Sequence, residues 1–228
     1  AKAMIPELST YGVDAQVLNI DGIAEGPVTK GITFINTSPV QEVTLGFTDD
    51  LKTAGIGKLN INLSLPLNEI EASTFKGEYT INNGVMYANE RMGLPKITNI
   101  NGKLNFDELG INAKVINASI LGGPASFHLQ TTGDQTISIN ANGAATGAGI
   151  KQFTSNPITE AMTGSTNWTA DIAIKKPVIN LSIKSSLKGL AINLPAPLGK
   201  TSEQEANLTA VKKQTVKNQD RFDISYSD

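Results

Sequence analysis

The chain has 228 residues, 39% hydrophobic and 18% charged, with a formal net charge of −2. That balance, with no basic stripe, speaks against a nucleic-acid partner. The absence of cysteine excludes disulfide frameworks, thiolate metal sites and cysteine nucleophiles.

The chain opens Ala1-Lys2-Ala3-Met4 with no apolar run behind it, so no signal peptide is read there. No later stretch approaches the roughly 18 apolar residues of a membrane span. Residues 1–55 are irregular, and Gly31 to Phe47 is expected to supply two or three strands. From residue 56 onward a period of two dominates. Leu59, Ile61, Leu63 and Leu65 alternate with Asn60, Asn62 and Ser64, which gives a strand one apolar and one polar face. The next segment contains Ile81 and then Asn83-Gly84. A three-residue loop there keeps the apolar residues on one face, and predicts a type I turn with Gly84 left-handed.

Leu104 and Phe106 follow Asn101-Gly102, a second expected turn. Ile111, Ala113 and Val115 alternate with Asn112 and Lys114; Phe127 and Leu129 flank His128; Ile137, Ile139 and Ala141 alternate with Ser138 and Asn140. Turns are expected between these runs at Gly122-Gly123-Pro124, Thr132-Gly133-Asp134 and Asn142-Gly143. Ala144 to Gly164 breaks the pattern. Ile150, Phe153, Ile158 and Met162 there suit one or two short helical turns, with Pro157 opening the second. Alternation resumes at Trp168, Ala170, Ile172 and Ile174, continues through Leu181 and Ile183, and ends at Ile192 and Leu194 before two prolines. The tail is polar through Glu205 and turns strand-like again near Leu208. The closing Arg221-Phe222-Asp223-Ile224-Ser225-Tyr226 reads as a strand interrupted in mid-pattern, so the chain is expected to be a piece of a longer protein.

These elements predict an all-β fold: a mostly antiparallel, strongly twisted and curved sheet with one or two short helices. Reactive constellations are missing. His128 is the sole histidine, lies on the polar side of its strand, and cannot build an ordinary zinc site alone. Gly199-Lys200-Thr201 resembles the end of a phosphate loop, but Leu194 stands where that loop needs glycine, and prolines fill the rest. Asp49-Asp50 and Asp107-Glu108 read as solvated turn carboxylates. Aromatic residues are 5% of the chain, too few for the exposed platforms of sugar-binding sandwiches. No catalytic residues, no metal and no cofactor are expected.

The apolar faces are the constellation that remains. They suit either a closed core or an open groove for lipid chains. Few polar residues interrupt them, and little helix is available as a covering layer; an uncovered apolar sheet is otherwise an aggregation hazard.

Several segments together resemble the AsmA-like YhdP family of the Gram-negative envelope, relatives of TamB and of bridge-like lipid transfer proteins. They are Lys58 to Leu67, ending Leu-Pro-Leu; Gly77-Glu78-Tyr79-Thr80-Ile81; Asn99 to Phe106; Gly110-Ile111-Asn112-Ala113; Leu121-Gly122-Gly123-Pro124; Gly164 to Trp168; and Ser185 to Lys200. The family usually shows Ser-Asp-Leu where this chain has Ser185-Ser186-Leu187. The resemblance implies a periplasmic β-groove segment of an inner-membrane-anchored protein, the anchor lying outside this fragment. Its implied partners are phospholipid or other acyl chains, and inner- and outer-membrane components reached through regions outside the fragment; no nucleic acid is implied. Residues 1–55 form loosely matched N-terminal strands of the groove, 56–200 the groove segment, and 201–228 a further strand unit or tail. The expected groove residues are Leu59, Ile61, Leu63, Leu65, Ile81, Leu104, Phe106, Ile111, Val115, Phe127, Leu129, Ile137, Ile139, Ile172, Ile174, Leu181, Ile183, Ile192 and Leu194. The expected function is conduction of phospholipid acyl chains between the two membranes. The alternative is a non-catalytic scaffold for outer-membrane assembly or envelope integrity.

Overall fold

The computed structural model describes residues 2–4, 17–38, 41, 48, 51–87, 94–175, 178–215 and 219–227. Among them thirteen strands form one open sheet: β1 (Lys2–Met4), β2 (Val17–Pro27), β3 (Thr53–Pro66), β4 (Thr74–Met86), β5 (Ile97–Asp107), β6 (Gly110–Ile120), β7 (Gly123–Thr131), β8 (Ile137–Thr146), β9 (Met162–Lys175), β10 (Val178–Ser185), β11 (Leu190–Ile192), β12 (Asn207–Thr215) and β13 (Gln219–Ser227). Sequence neighbours pair antiparallel in the order β1 to β10, then β12 and β13; β11 lies off this path and pairs with the start of β9. No pairing closes the sheet. β6 and β8 approach each other across β7. Flat neighbours two strands apart would be separated by about 9.6 Å, so the sheet bends sharply there.

The helical break falls where expected. α2 (Gly147–Phe153) starts at Thr146, whose hydroxyl accepts from Gly149 N. α3 (Pro157–Glu160) starts at Asn156, whose side chain accepts from Ile158 N and Thr159 N, with proline in the first turn. These caps satisfy the donors a helix start leaves free. The expectation of strands from Gly31 fails over the described part. Val28–Asn36 is a helix, α1, and follows β2 without a loop. Thr29, Ile32, Thr33 and Ile35 carry β-branches that disfavour isolated helix. α1 exists because it packs: Ile35 lies against the sheet's apolar face. Most of the remaining segment expected to form strands, and the Asp49-Asp50 turn, lie outside the described residues.

Three expected Asn-Gly turns are not turns. Asn83-Gly84, Asn101-Gly102 and Asn142-Gly143 all lie inside strands. Asn83 (φ 53°) and Asn99 (φ 51°) take the left-handed region where β4 and β5 shift register, so each makes a bulge and bends its strand. Gly143 serves packing instead: a Cβ there would lie 2.7 Å from Trp168 Cζ2. The β6–β7 hairpin does turn as expected, with Leu121 and Gly122 both at positive φ between the paired Ile120 and Gly123, the geometry of a type I′ turn. In the β7–β8 turn, Asp134 accepts from the Thr132 and Thr136 hydroxyls and pairs with Lys175 at 3.1 Å. These donors hold its carboxyl well below the usual range.

Candidate functional site: one apolar face across the sheet

Register assigns every strand residue to one of two faces. One inner row runs Gly57, Ile81, Gly102, Ile116, Phe127, Ala141, Ala170, Ile183, Ala210, Ile224 from β3 to β13. A second joins Leu59, Tyr79 and Leu104 at one end, and Ala113, Leu129, Ile139, Ile172, Leu181, Lys212 and Phe222 at the other. A third pairs Ile61, Gly77, Phe106 and Ile111, and then Thr131, Ile137, Ile174 and Ile179. Leu63 and Leu65 extend the face at the far end of β3, opposite Ile20 and Leu18.

Burial along this face is uneven. Tyr79, Phe106, Ile111, Ile137, Ile139 and Ile174 form one cluster from five strands, with Leu59, Ile61, Ile81, Leu104, Phe127, Leu129 and Ile172 packed against it. Ile137 is 1% exposed and Ile174 3%. Burial pushes the Tyr79 phenol up from its ordinary pKa. At β13 the same face is exposed at Phe222 (65%) and Ile224 (71%), while Tyr226 packs against a second cluster. The apolar face is therefore filled side chain to side chain in the middle strands.

One expected groove residue, Val115, lies elsewhere, and two join a separate cluster. Val115 is exposed, because Ala113 and Ile116 both face inward across a register shift in β6. The bulge puts Lys114 and Val115 opposite His128 alone and flips the alternation. Ile192 and Leu194 pack away from the central cluster, against Leu208 of β12 and Tyr226 of β13. With Leu187, Leu190, Ile150 and Met162 they form a second cluster where β11 meets β9. Ile116 and Ala118 belong to the face and were not singled out; Ile116 becomes legible only once the bulge is known.

The opposite face is polar and internally paired. Lys103 meets Glu78 at 3.0 Å, Asn62 donates to Asp21 at 2.6 Å, and Asn140 to Asp171 at 2.7 Å. A depression of about 720 Å³ is lined by Asp21, Asn62, Lys76 and Glu78 together with Ile23, Phe106, Leu109 and Ile111. Among the described residues no three His, Asp or Glu side chains gather as metal ligands. His128 is half-buried, with Nδ1 3.1 Å from Lys114 O. Asp107 accepts from Leu109 N at 2.9 Å and Gly110 N at 3.2 Å, and closes the β5–β6 turn. Lys200 is buried, and Nζ donates to the carbonyls of Leu187 (2.8 Å), Leu190 and Thr201 (2.8 Å). Such an ammonium faces protein carbonyls rather than a phosphate. His128→Ala and Val115→Asp are each expected to change stability by less than about 1 kcal/mol, as thermal melting would check; a loss of lipid binding in either, with melting unchanged, would mark a site on the polar face.

No helix among the described residues is long and apolar enough to cross a membrane. Neither the curated proteins nor the solved structures give a match. A family model does: that of the YhdP protein family matches residues 1–228. The chain, with its open antiparallel sheet and one apolar face, belongs to the YhdP family.

Proposed function

We propose that this chain is a non-catalytic segment of a periplasmic groove that binds phospholipid acyl chains and conducts them between the inner and outer membranes. The observation that carries this reading is the apolar face. It continues in register from β3 to β13 on a sheet that no pairing among the described residues closes, with Phe222 and Ile224 exposed on it. Membership in a family of the Gram-negative envelope agrees with a lipid-related role. An acyl chain is about 15 Å long, half of a ~30 Å bilayer core, so about three strands at ~4.8 Å spacing shelter it. The headgroup stays in water along the lip, where its charge keeps its solvation.

A second reading, a structural scaffold, is favoured by the filled floor, where neighbouring protein side chains bury Ile137 and Ile174. Photo-cross-linking separates the two. A benzoylphenylalanine at Leu181 or Phe222, on the apolar face, is expected to capture phospholipid. The same group at Lys184 or Asp223, on the opposite face, is not. Equal capture, or none, from both faces defeats the conduit.

A further inference from the structure

We propose that α1 and the apolar strip beneath it form a gated acyl-chain subsite, in which α1 fills the groove when lipid is absent. The proposal rests on the lipid-groove reading. α1 lies on Leu59, Tyr79, Leu104, Phe106 and Ile111, with Ile35 packed among them and a residual cavity of about 20 Å³ left between helix and sheet. A nine-residue amphipathic helix thus sits, apolar side down, where the groove would hold hydrocarbon.

Three features make it displaceable. First, the helix is weak alone. It has nine residues, no side-chain cap bond at its start, no acid in its first turn and no base in its last, and isolated helices below about 12–15 residues are marginal in water. Second, the fit depends on a glycine slot. The Tyr79 ring lies against Gly31 of α1 and Gly57 of β3, and a Cβ at Gly31 would fall 2.7 Å from Tyr79 Cζ. Third, there is space to move into. Thr29, Ile32, Thr33 and Asn36, on the other flank of α1, border a cleft of about 580 Å³ shared with Thr53 and Tyr87. Asn36 bonds Thr48 through both its amide nitrogen and oxygen, at 3.3 and 2.5 Å. The helix is therefore tethered at both ends, by β2 and by Thr48, while its centre rests on apolar contact.

The cysteine-free chain permits a clean test. Cysteines replacing Ile35 and Leu59 lock α1 down when oxidised. Uptake of a pyrene-acyl phospholipid from phosphatidylethanolamine–phosphatidylglycerol vesicles is expected to fall about tenfold in the locked form and to return on reduction. Gly31→Val should act oppositely. It pushes α1 from Tyr79, speeds maleimide labelling of a Leu104→Cys reporter several-fold, and raises uptake. Equal uptake by locked and reduced protein overturns the gate and leaves the groove standing, as does an unchanged labelling rate in Gly31→Val. No uptake by the reduced or unmodified chain overturns the groove and the gate with it.

Discussion

Ile137→Asp is expected to unfold the middle of the sheet, and Ile224→Asp to leave it folded. Both residues lie on the same apolar face, yet Ile137 is 1% exposed and Ile224 71%. At position 137 the substitution removes a packed side chain and buries an unpaired carboxylate among Ile139, Ile174 and their neighbours; together these cost more than about 4 kcal/mol. At position 224 the carboxylate reaches water directly, and the change stays within about 0.5 kcal/mol. Its functional effect is larger than its structural one, because hydrocarbon passing β13 would have to desolvate the charge. Guanidinium melts of the two variants, read beside lipid uptake, check both halves. Comparable destabilisation of both would mean that β13 is covered in solution and that the face does not open there.

Lys200→Met is expected to cost about 3 kcal/mol, because hydrogen bonds from a charged donor contribute more than neutral ones. Its ammonium gathers the Leu187, Leu190 and Thr201 carbonyls beneath the second cluster. Methionine fills similar space and donates nothing. Lys200→Arg is not expected to rescue, since a planar guanidinium does not fit a pocket shaped for a compact ammonium. Hydrogen exchange should show the loss first in residues 187–201 and leave β4 to β8 protected. An unchanged midpoint in both variants would mean that the carbonyls are satisfied without the lysine.

Much of this was legible from period-two alternation, because a sheet with one apolar face writes its register directly into the chain. Leu59 to Leu65, Ile137 to Ile139 and Trp168 to Ile174 fall on the inner face as the alternation implies. Four features were hidden, each for a physical reason. Val115 continues the alternation on paper, but a bulge in β6 hands the face to Ile116. Ile192 and Leu194 alternate like the rest, yet β11 pairs with the first residues of β9, outside the main path. Asn83-Gly84 has hairpin chemistry, but strands on both sides hold it in a bulge. α1 carries β-branched residues and no caps, so its helicity comes from the surface it lies on. In each case a tertiary contact overrode a local preference.

On the proposed reading the apolar face holds lipid. Native mass spectrometry of the chain, gently purified and then incubated with phosphatidylethanolamine–phosphatidylglycerol vesicles, tests it most directly. The groove account predicts mass adducts of phospholipid that survive removal of the vesicles. A chain that stays lipid-free while folded would contradict it and leave the face as filled scaffold.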